Sequence, residues 1–297
     1  MTMVLLYLTC FRFVPLPRES LYHMPDFHLA PVTFWEKCNF KSQFQHHIDM
    51  ELLHQIGGQV QFPPHSKNAK REKQEAWLSC GNHGCPCTAP TSVIGPDYTF
   101  VEIGAHDGVD NSNTYFAEKN LKWRGLCVEP NPHTYAKLQK NRPDCINING
   151  IVANEPGPFD FYSFQTDGWQ AQMSGINTHF KTDQDAIDFA IRENIPPPEI
   201  IKVPAYRFSD LFRKHGFDRI DLFSLDVEGA ELAVLETIDF SAVSIHYVIM
   251  EIANGPEDDA CVKLLKDNSF YQVPSNRLLF DNTFDVWFEN NNWVSHR

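Results

Sequence analysis

Residues 98–129 decide the fold of this chain, and they read YTFVEIGAHDGVDNSNTYFAEKNLKWRGLCVE. An apolar run, 99–103, ends in a glycine turn, a helix-compatible segment follows, and a second apolar run, 126–128, ends in Glu129. A strand, a glycine turn, a helix and a second strand with a terminal carboxylate form the first half of a nucleoside-binding α/β sheet. The glycines let the backbone approach a ligand, and Glu129 can accept both ribose hydroxyls. The stretch therefore predicts binding of an adenosine-type cofactor.

The spacing of the glycine turn distinguishes between two such cofactors. A dinucleotide site needs G-x-G-x-x-G, but here His106 takes the middle glycine position between Gly104 and Gly108. S-adenosylmethionine has no pyrophosphate, and its cationic sulfonium and ammonium suit a site edged by carboxylates. Four acidic residues are the candidates for that edge: Glu102, Asp107, Glu129 and Asp226. The pattern favours S-adenosylmethionine over NAD, and an ordinary glycine turn without a ligand is the remaining alternative.

A second acidic strand end follows at residues 221–236, which read DLFSLDVEGAELAVLE. With this segment the chain resembles the FkbM family of S-adenosylmethionine-dependent methyltransferases over about residues 97–290. The resemblance rests on VEIGAHDG (101–108), SNT (112–114), GLCVEPNP (125–132), MSGI (173–176) and SLDVEGAELAVLE (224–236). The D-V-E-G-A-E string after a strand is its most specific part. The chain departs from the family at Thr237, where a glycine is common.

The resemblance implies a fold, a cofactor and a set of binding residues. The fold is α/β, a Rossmann-like class I methyltransferase fold with a mostly parallel seven-stranded sheet that ends in an antiparallel hairpin. The cofactor is S-adenosyl-L-methionine. The binding residues carried over by position are Glu102, Gly104, His106, Asp107, Gly108, Asn113, Glu129 and Asp226. The substrate-selecting insert of the family is variable, so the resemblance does not identify the acceptor.

Charge is unevenly distributed along the chain. The 297 residues carry a formal charge of −13. Residues 97–297 hold 17 Lys and Arg against 31 Asp and Glu, which gives −14, while residues 1–96 hold 8 against 7. A negative field repels phosphate backbones, which disfavours a nucleic-acid substrate. Neutral and cationic acceptors remain open, and the oligomeric state is not indicated.

Residues 1–96 form an extension that differs from the domain predicted for residues 97–297. The apolar run within Met3–Pro17 is interrupted by Arg12 and is too short to span a bilayer, and it makes a poor signal peptide. A damaged signal anchor, a gene-model artefact and a packed strand all remain open. No stable membrane span is predicted, and a cytoplasmic location is slightly favoured over the secretory-pathway lumen.

Six of the eight cysteines fall into two groups. Cys127, Cys145 and Cys261 lie in or beside apolar runs and are predicted to be small core residues. The segment Cys80–Cys87 offers three thiols and an imidazole to zinc, but its C-x₄-C-x-C spacing is not that of a standard finger. A disulfide-linked or surface loop is favoured there, so no metal ligand is assigned.

The remaining elements alternate between strands and helices. Strands are predicted at 146–152, 159–164, 220–225, 246–251 and 271–273, with a terminal hairpin from 277–280 and 283–288. Helices are predicted from Pro132 with Asn131 as N-cap, at 183–193, from Ser209 as N-cap, from Ala230 and from Asp258. Residues 165–198 interrupt the alternation, and we expect this insertion to cover the active site and select the acceptor.

The catalytic residues are expected where the strands end. Glu102, Glu129, Asp226 and Glu251 each close a predicted strand, and ligands of an open parallel sheet lie across that edge. Asp226 or Glu228 is the candidate general base for an O-methyl transfer, and His179 of the insertion could assist. A divalent ion held by Asp226, Glu251 and Asn254 is a less favoured alternative. In the insertion, Met173 and Phe180 are expected to pack, while Trp169 and His179 could face the substrate.

The function favoured by the sequence is S-adenosylmethionine-dependent O-methylation of a hydroxyl on a small molecule or glycan. The alternatives are a non-catalytic trafficking or interaction protein on the same fold, similar to the animal protein Star, and an NAD-dependent oxidoreductase. Equilibrium binding of S-adenosylmethionine and of NAD separates these three classes.

Overall fold

A seven-stranded sheet forms the centre of the fold. In this computed structural model, residues 95–167, 169–176, 180, 182–252, 256–274 and 285–294 are described. The strands are Thr99–Ile103 (β1), Arg124–Glu129 (β2), Ile146–Asn149 (β3), Ile151–Val152 (β4), Gly157–Ser163 (β5), Glu199–Tyr206 (β6), Arg219–Leu225 (β7), Ser244–Glu251 (β8), Phe270–Gln272 (β9) and Asp285–Asn290 (β10). The helices are Tyr115–Lys119 (α1), Pro132–Asn141 (α2), Asp183–Glu193 (α3), Phe208–Lys214 (α4), Glu231–Leu235 (α5) and Pro256–Asp267 (α6).

The main sheet has the strand order β3-β2-β1-β7-β8-β10-β9. Strands β3, β2, β1, β7 and β8 are parallel neighbours, and β10 pairs antiparallel with both β8 and β9. The chain moves outward from β1 on one side and from β7 on the other, so the strand order reverses between these two strands. Ligands of open α/β sheets lie at such a reversal, beyond the carboxyl ends of the strands. The predicted fold class is confirmed.

Side-chain alternation along β1 divides the core into two layers. Val101 and Ile103 pack into the cluster that also holds Phe208, Phe212 and Leu235, whereas Phe100 packs into the opposite cluster with Phe116 and Trp123. Successive side chains of a strand point to opposite faces, so Glu102 lies on the same face as Phe100, beneath α1. This position determines what the Glu102 carboxylate can reach.

A smaller sheet with the order β4-β6-β5 adjoins the main one. The predicted single strand 146–152 is wrong, because the chain changes sheet at Gly150, between β3 and β4. Gly150 has φ +152°, and a Cβ there would lie 2.5 Å from the carbonyl oxygen of Pro204. Only glycine fits this approach. Strand β6, next to the Pro196–Pro198 run, was not predicted from the sequence.

Two predicted helix starts are also wrong. Ser209 lies inside α4, whose N-cap is Arg207 without a side-chain capping hydrogen bond. Helix α6 begins at Pro256, two residues before the expected Asp258. By contrast, Asn131 caps α2 as predicted, since its side chain accepts a hydrogen bond from the N–H of His133.

Several predictions fall outside the described residues: those on the extension 1–94, the Cys80–Cys87 cluster, His179, Asn254 and the hairpin segment 277–280. Within the described part of the chain, Cys127, Cys145 and Cys261 are buried, as expected of core cysteines. None of the described helices has the length and apolarity required to cross a bilayer.

Candidate cofactor and active site

A cavity of about 680 Å³ lies at the carboxyl ends of β1, β2 and β7. Its wall combines the glycine turn, the end of β2, the D-V-E-G segment and part of the insertion. The wall residues used below are Gly104, His106, Asn113, Glu129, Phe159, Phe161, Ser174, Asp226, Glu228, Glu251 and Asp285. Of the eight predicted cofactor-binding residues, five reach this wall: Gly104, His106, Asn113, Glu129 and Asp226. The described wall contains no Lys or Arg side chain.

Glu129 forms the floor of the cavity at the end of β2. Its Oε1 accepts hydrogen bonds from the backbone N–H of Asn131 (2.8 Å) and the hydroxyl of Thr134 (2.9 Å), and its Oε2 accepts one from the N–H of His106 (2.8 Å). Burial raises the pKa of Glu129 to about 7, although these hydrogen bonds partly oppose the rise. A carboxylate has about four acceptor sites, so room remains for one further hydrogen bond. We therefore expect Glu129 to accept a hydrogen bond from one ribose hydroxyl and not from both.

A glycine is required at position 104 because the ends of β1 and β7 approach each other closely there. It has φ +88°, and a Cβ there would lie 1.7 Å from the backbone oxygen of Asp226, at the end of the neighbouring β7. The N–H of Asp226 donates to the carbonyl of Ile103 at 3.1 Å, which holds the two strand ends together. The close approach that excludes a side chain at Gly104 is thus to the protein's own backbone.

Glu102 does not reach the cavity wall, and its prediction as a cofactor ligand is not supported. It is 3% exposed. Its carboxylate accepts hydrogen bonds from the hydroxyls of Ser112 (2.9 Å) and Thr114 (2.7 Å) and from the N–H of Asn113 (2.8 Å). Burial raises the pKa of Glu102, while Arg142 and these donors lower it. Glu102 therefore anchors the loop that carries Asn113 to the cavity.

Asp107 and Gly108 also lie off the wall. Oδ1 of Asp107 accepts the N–H groups of Val109 and Asp110, both at 2.8 Å, so this side chain closes the turn. A Cβ on Gly108 would lie 2.5 Å from Cδ1 of Leu138, so this glycine lets the turn pack against α2. Both residues shape the glycine turn without facing the cavity.

Arg142, which the sequence analysis did not identify, lies beneath the turn. It is fully buried, and its guanidinium donates to the Glu118 carboxylate, to the carbonyl of Gly108 (3.1 Å) and to the hydroxyl of Ser112 (3.0 Å). Nη1 also lies 3.5 Å from Oε2 of Glu102. Burial alone would raise the pKa of Glu118. The effects of Arg142 and the other hydrogen-bond donors are larger, so the pKa of Glu118 lies below its ordinary value. No sequence pattern marks a lone arginine after a helix as such an anchor.

Several carboxylates lie together at the other end of the cavity, where β7 and β8 end and β10 begins. Asp226, Glu228, Glu251 and Asp285 line the wall there, and Glu251 is the direct cross-strand partner of Asp285. Burial, then the neighbouring Glu228 and Glu251, raise the pKa of Asp226 well above its ordinary value. Burial, followed by Glu251 and Glu231, raises the pKa of Glu228 to about 7. Glu228 therefore exchanges a proton near neutral pH.

The segment that carries Glu228 is held in a rare backbone conformation. Glu228 has φ +53°, in the left-handed region that non-glycine residues seldom adopt. Oε1 of Glu231 accepts the N–H of Val227 at 3.1 Å and of Gly229 at 3.3 Å, and these contacts fix the segment. Backbone strain of this kind is concentrated at functional sites. Glu231 is a second supporting residue that the sequence analysis missed.

The metal alternative gains no support from the described ranges. No group of three or more His, Cys, Asp or Glu side chains there is arranged to hold a metal ion. Asn254, the third ligand of that alternative, lies outside the described residues.

The insertion both packs on itself and contributes to the wall. Phe164, Phe180 and Phe189 form an aromatic cluster with centroid separations of 5.2–5.7 Å, and Met173 packs against it. The expected packing of Met173 and Phe180 is thus confirmed. A 3₁₀ turn at Trp169–Ala171 leads into residues 171–176, of which Ser174, Gly175 and Ile176 line the cavity. Asn131 Nδ2 donates to Ser174 Oγ at 3.0 Å and so joins this wall to α2.

His106 has an imidazole without hydrogen-bond partners. It lines the cavity with φ +49°, its side chain is 16% exposed, and neither ring nitrogen has a hydrogen-bond partner. Such atoms cost about 1–3 kcal/mol when left unpaired. These orphaned nitrogens, the remaining acceptor site on Glu129 and the carboxylate wall fit S-adenosylmethionine, which offers hydroxyls, a carboxylate and two cationic groups.

Comparisons with known proteins agree with this geometry. The family model described as Methyltransferase FkbM domain matches residues 102–282. The chain is 25% identical to Methyltransferase 1 of Beauveria bassiana (strain ARSEF 2860) over 190 residues, which cover 61% of this chain and 76% of that protein. It is 28% identical over 147 residues to 2-O-methyltransferase NoeI of Sinorhizobium fredii (strain NBRC 101917 / NGR234). That match covers 47% of this chain and 57% of NoeI, less than two thirds of its length.

Solved structures with a similar arrangement include other methyltransferases. Methyltransferase FkbM from Methylobacillus flagellatus KT has a TM-score of 0.37 at 11% identity, covering 81% of this chain and 58% of that one. Fibrillarin of Aeropyrum pernix, solved with natively bound S-adenosyl-L-methionine, has a TM-score of 0.34 at 15% identity, covering 74% of this chain and 76% of that one.

Proposed function

The chain belongs to the FkbM methyltransferase family, and we propose that it transfers the methyl group of S-adenosylmethionine to a hydroxyl oxygen of a small molecule or glycan. The family membership makes it a methyltransferase with a Rossmann-like fold and S-adenosylmethionine as cofactor. The kind of acceptor atom is our proposal. The observation that carries it is a half-buried carboxylate, Glu228, on the cavity wall with a pKa of about 7.

The cofactor would lie across the ends of β1 and β2. Glu129, buried at the cavity floor, would accept a hydrogen bond from a ribose hydroxyl. The sulfonium and ammonium would face the carboxylate end of the wall, and their positive charge would favour the ionised form of these groups. When bound, S-adenosylmethionine supplies a methyl group activated by the sulfonium. The protein's contribution is to align the acceptor oxygen with that methyl group and to exclude water.

Removal of the hydroxyl proton is assigned to Glu228, with Asp226 beside it. A general base is most effective when its pKa lies near the operating pH, and Glu228 meets this condition. Burial and the neighbouring Glu228 raise the pKa of Asp226 well above its ordinary value. Asp226 is therefore better suited to hold a proton and stabilise Glu228 than to act as the base. An amine acceptor would not require such a base if it arrived unprotonated, and for this reason the wall favours oxygen over nitrogen.

The wall also bears on the class of acceptor. Because the described wall has no Lys or Arg and several carboxylates, a phosphorylated or acidic acceptor would be repelled. The relative NoeI is named a 2-O-methyltransferase, which supports oxygen as the methylated atom. Phe159 and Phe161 of β5 provide apolar surface on the side of the insertion, as a sugar ring or small organic acceptor needs. We retain the proposal that residues 165–198, including His179, select the acceptor.

The test is methyl transfer from S-adenosylmethionine labelled in the methyl group. The protein is incubated with a panel of neutral glycans, hydroxylated metabolites, their phosphorylated counterparts and primary amines. We expect label in a neutral hydroxyl compound as a methyl ether, and none in the phosphorylated counterpart of that compound. Label confined to amines would refute the proposed O-methylation. Failure to bind S-adenosylmethionine would instead favour the non-catalytic, Star-like alternative.

A further inference from the structure

The imidazole of His106 is half-buried, and both of its buried ring nitrogens are left without a hydrogen-bond partner by the fold. Its nearest carboxylate oxygen, Oδ1 of Asp107, lies 3.8 Å from Nδ1, beyond hydrogen-bond distance. Asp107 is already committed to the N–H groups of Val109 and Asp110. A left-handed backbone at a non-glycine residue adds a further cost. An unpaired group held in a strained conformation on a cavity wall points to a ligand.

The hydrogen-bond donors around the glycine turn are largely used within the protein. The N–H groups of Gly104 and Ala105 donate to Val128, that of His106 to Glu129, and that of Gly108 to Ala105. The N–H groups of Val109, Asp110 and Asn113 are bound to carboxylates. The wall in the described residues has no cationic side chain. Few backbone donors are therefore left beside this turn for an anionic group, which favours a donor from a side chain.

S-adenosylmethionine carries one anionic group, the carboxylate of its methionine part. We propose that His106 is a positioning residue that donates a ring N–H hydrogen bond to this carboxylate. The inference rests on the proposed cofactor site, in which Glu129 holds the ribose. The backbone N–H of His106 donates to that same Glu129, so the imidazole lies next to the ribose end, from which the methionine part extends.

The charge state of His106 agrees with this role. Burial lowers the pKa of His106, and Lys137 lowers it further, while Asp107 and Asp110 raise it. The net lowering leaves a neutral imidazole near pH 7, with one N–H donor and one acceptor nitrogen. A neutral donor binds a carboxylate without adding a cation that would repel the sulfonium and ammonium.

The experiment compares two ligands that differ only in the carboxylate: S-adenosylmethionine and its decarboxylated analogue. The variant is His106→Gly, because glycine adopts φ +49° without steric cost. The control is Lys122→Gly, which makes the same kind of change at an exposed residue with φ +62° away from the wall. Affinities for both ligands are measured by calorimetry, and thermal denaturation monitors the fold.

We expect His106→Gly to weaken S-adenosylmethionine binding roughly ten- to a hundredfold and to leave the affinity for the decarboxylated analogue within about twofold. His106→Asn, whose amide can donate and which tolerates a left-handed backbone, should recover part of the discrimination. Equal losses for both ligands, or no loss for either, would overturn the assignment. A wild-type protein that binds neither ligand would overturn the proposed function and this inference with it.

Discussion

Replacement of Glu129 by Gln should weaken cofactor binding in a pH-dependent way. Glu129 already accepts three hydrogen bonds and has room for one from the ribose. A hydrogen bond to a charged group contributes about 1.5–3 kcal/mol, so its loss corresponds to a roughly 10- to 150-fold increase in Kd. Glutamine retains one carbonyl oxygen for Asn131 and Thr134, which limits damage to the fold.

The pKa of Glu129 determines the direction in which cofactor affinity changes with pH. In the protein without ligand, the pKa of Glu129 is about 7. A ribose hydroxyl that donates a hydrogen bond to the carboxylate favours its ionised form, so the pKa of Glu129 is lower in the complex. Binding therefore releases a proton below pH 7. At pH 6 about a tenth of Glu129 is ionised, so the wild-type Kd should be about tenfold weaker than at pH 8. Glu129→Gln should show no such slope, and the two proteins should converge at low pH.

The assay is calorimetric titration with S-adenosylhomocysteine at pH 6 and pH 8. Glu193→Gln, the same change at a residue off the cavity wall, is the control and should behave as wild type. The 2′-deoxy and 3′-deoxy analogues of the ligand should identify the single hydroxyl bound, because only one of them should bind Glu129→Gln and wild type equally. Equal affinity of wild type and Glu129→Gln at pH 8 would refute the assignment of the ribose to Glu129.

Three further predictions follow from contacts beneath and around the cavity. Arg142→Met should lower the free energy of unfolding in urea by about 3–5 kcal/mol at pH 7, because it strands the buried carboxylates of Glu118 and Glu102. The loss should shrink at pH 5, where those carboxylates can take up protons, and a loss below about 1 kcal/mol would contradict the anchoring role. Gly104→Ala should lower the Tm and abolish S-adenosylmethionine binding, since its Cβ would lie 1.7 Å from a backbone oxygen; a wild-type Tm would show that the strand ends can separate. Glu228→Gln should reduce the methyl-transfer rate by about 10²–10⁴ and remove the rise of the wild-type rate through about pH 7; an unchanged rate at saturating cofactor would assign the base elsewhere.

The sequence predicted the strands and turns that surround the site more accurately than the side-chain contacts within it. The order of β1, the glycine turn and β2 follows from apolar runs and spacing. The helix predicted from Asp183 to about Glu193 is confirmed as α3, and the structure adds a capping box of Thr182 and Asp185 at its start. Glu102 and Glu129 both close predicted strands, yet only Glu129 reaches the cavity. In the β1–β2 register Glu102 is level with Cys127, two residues before Glu129, so its side chain lies about 7 Å deeper in the sheet. Register between strands is a tertiary property that a single strand does not encode.

Other residues could not be assigned for a similar reason. Arg142 reaches Glu118, Glu102 and Gly108 across separations of 24 to 40 positions, and a lone arginine carries no local pattern. Gly150 reads as part of an apolar run, and only the approach of Pro204 reveals that the chain changes sheet there. Glycines and ion pairs whose partners are distant in sequence become interpretable only once the strands are placed side by side.

The pairing of β4 with β6 has a consequence for how such proteins diversify. Ile151 and Val152 lie beside Ala205 and Tyr206 in parallel register, and the N–H of Ala153 donates to the carbonyl of Tyr206 at 3.0 Å. Both strands belong to the smaller sheet, and their pairing brings the two ends of residues 153–204 close together, so this segment forms a cassette with adjoining ends. Recombination between relatives at these two positions would exchange β5, α3 and the wall around Ser174 as one unit, while Gly104, Glu129 and Asp226 stay in place. Under the proposed role of residues 165–198 in acceptor selection, one continuous replacement would change the acceptor and keep the methyl donor.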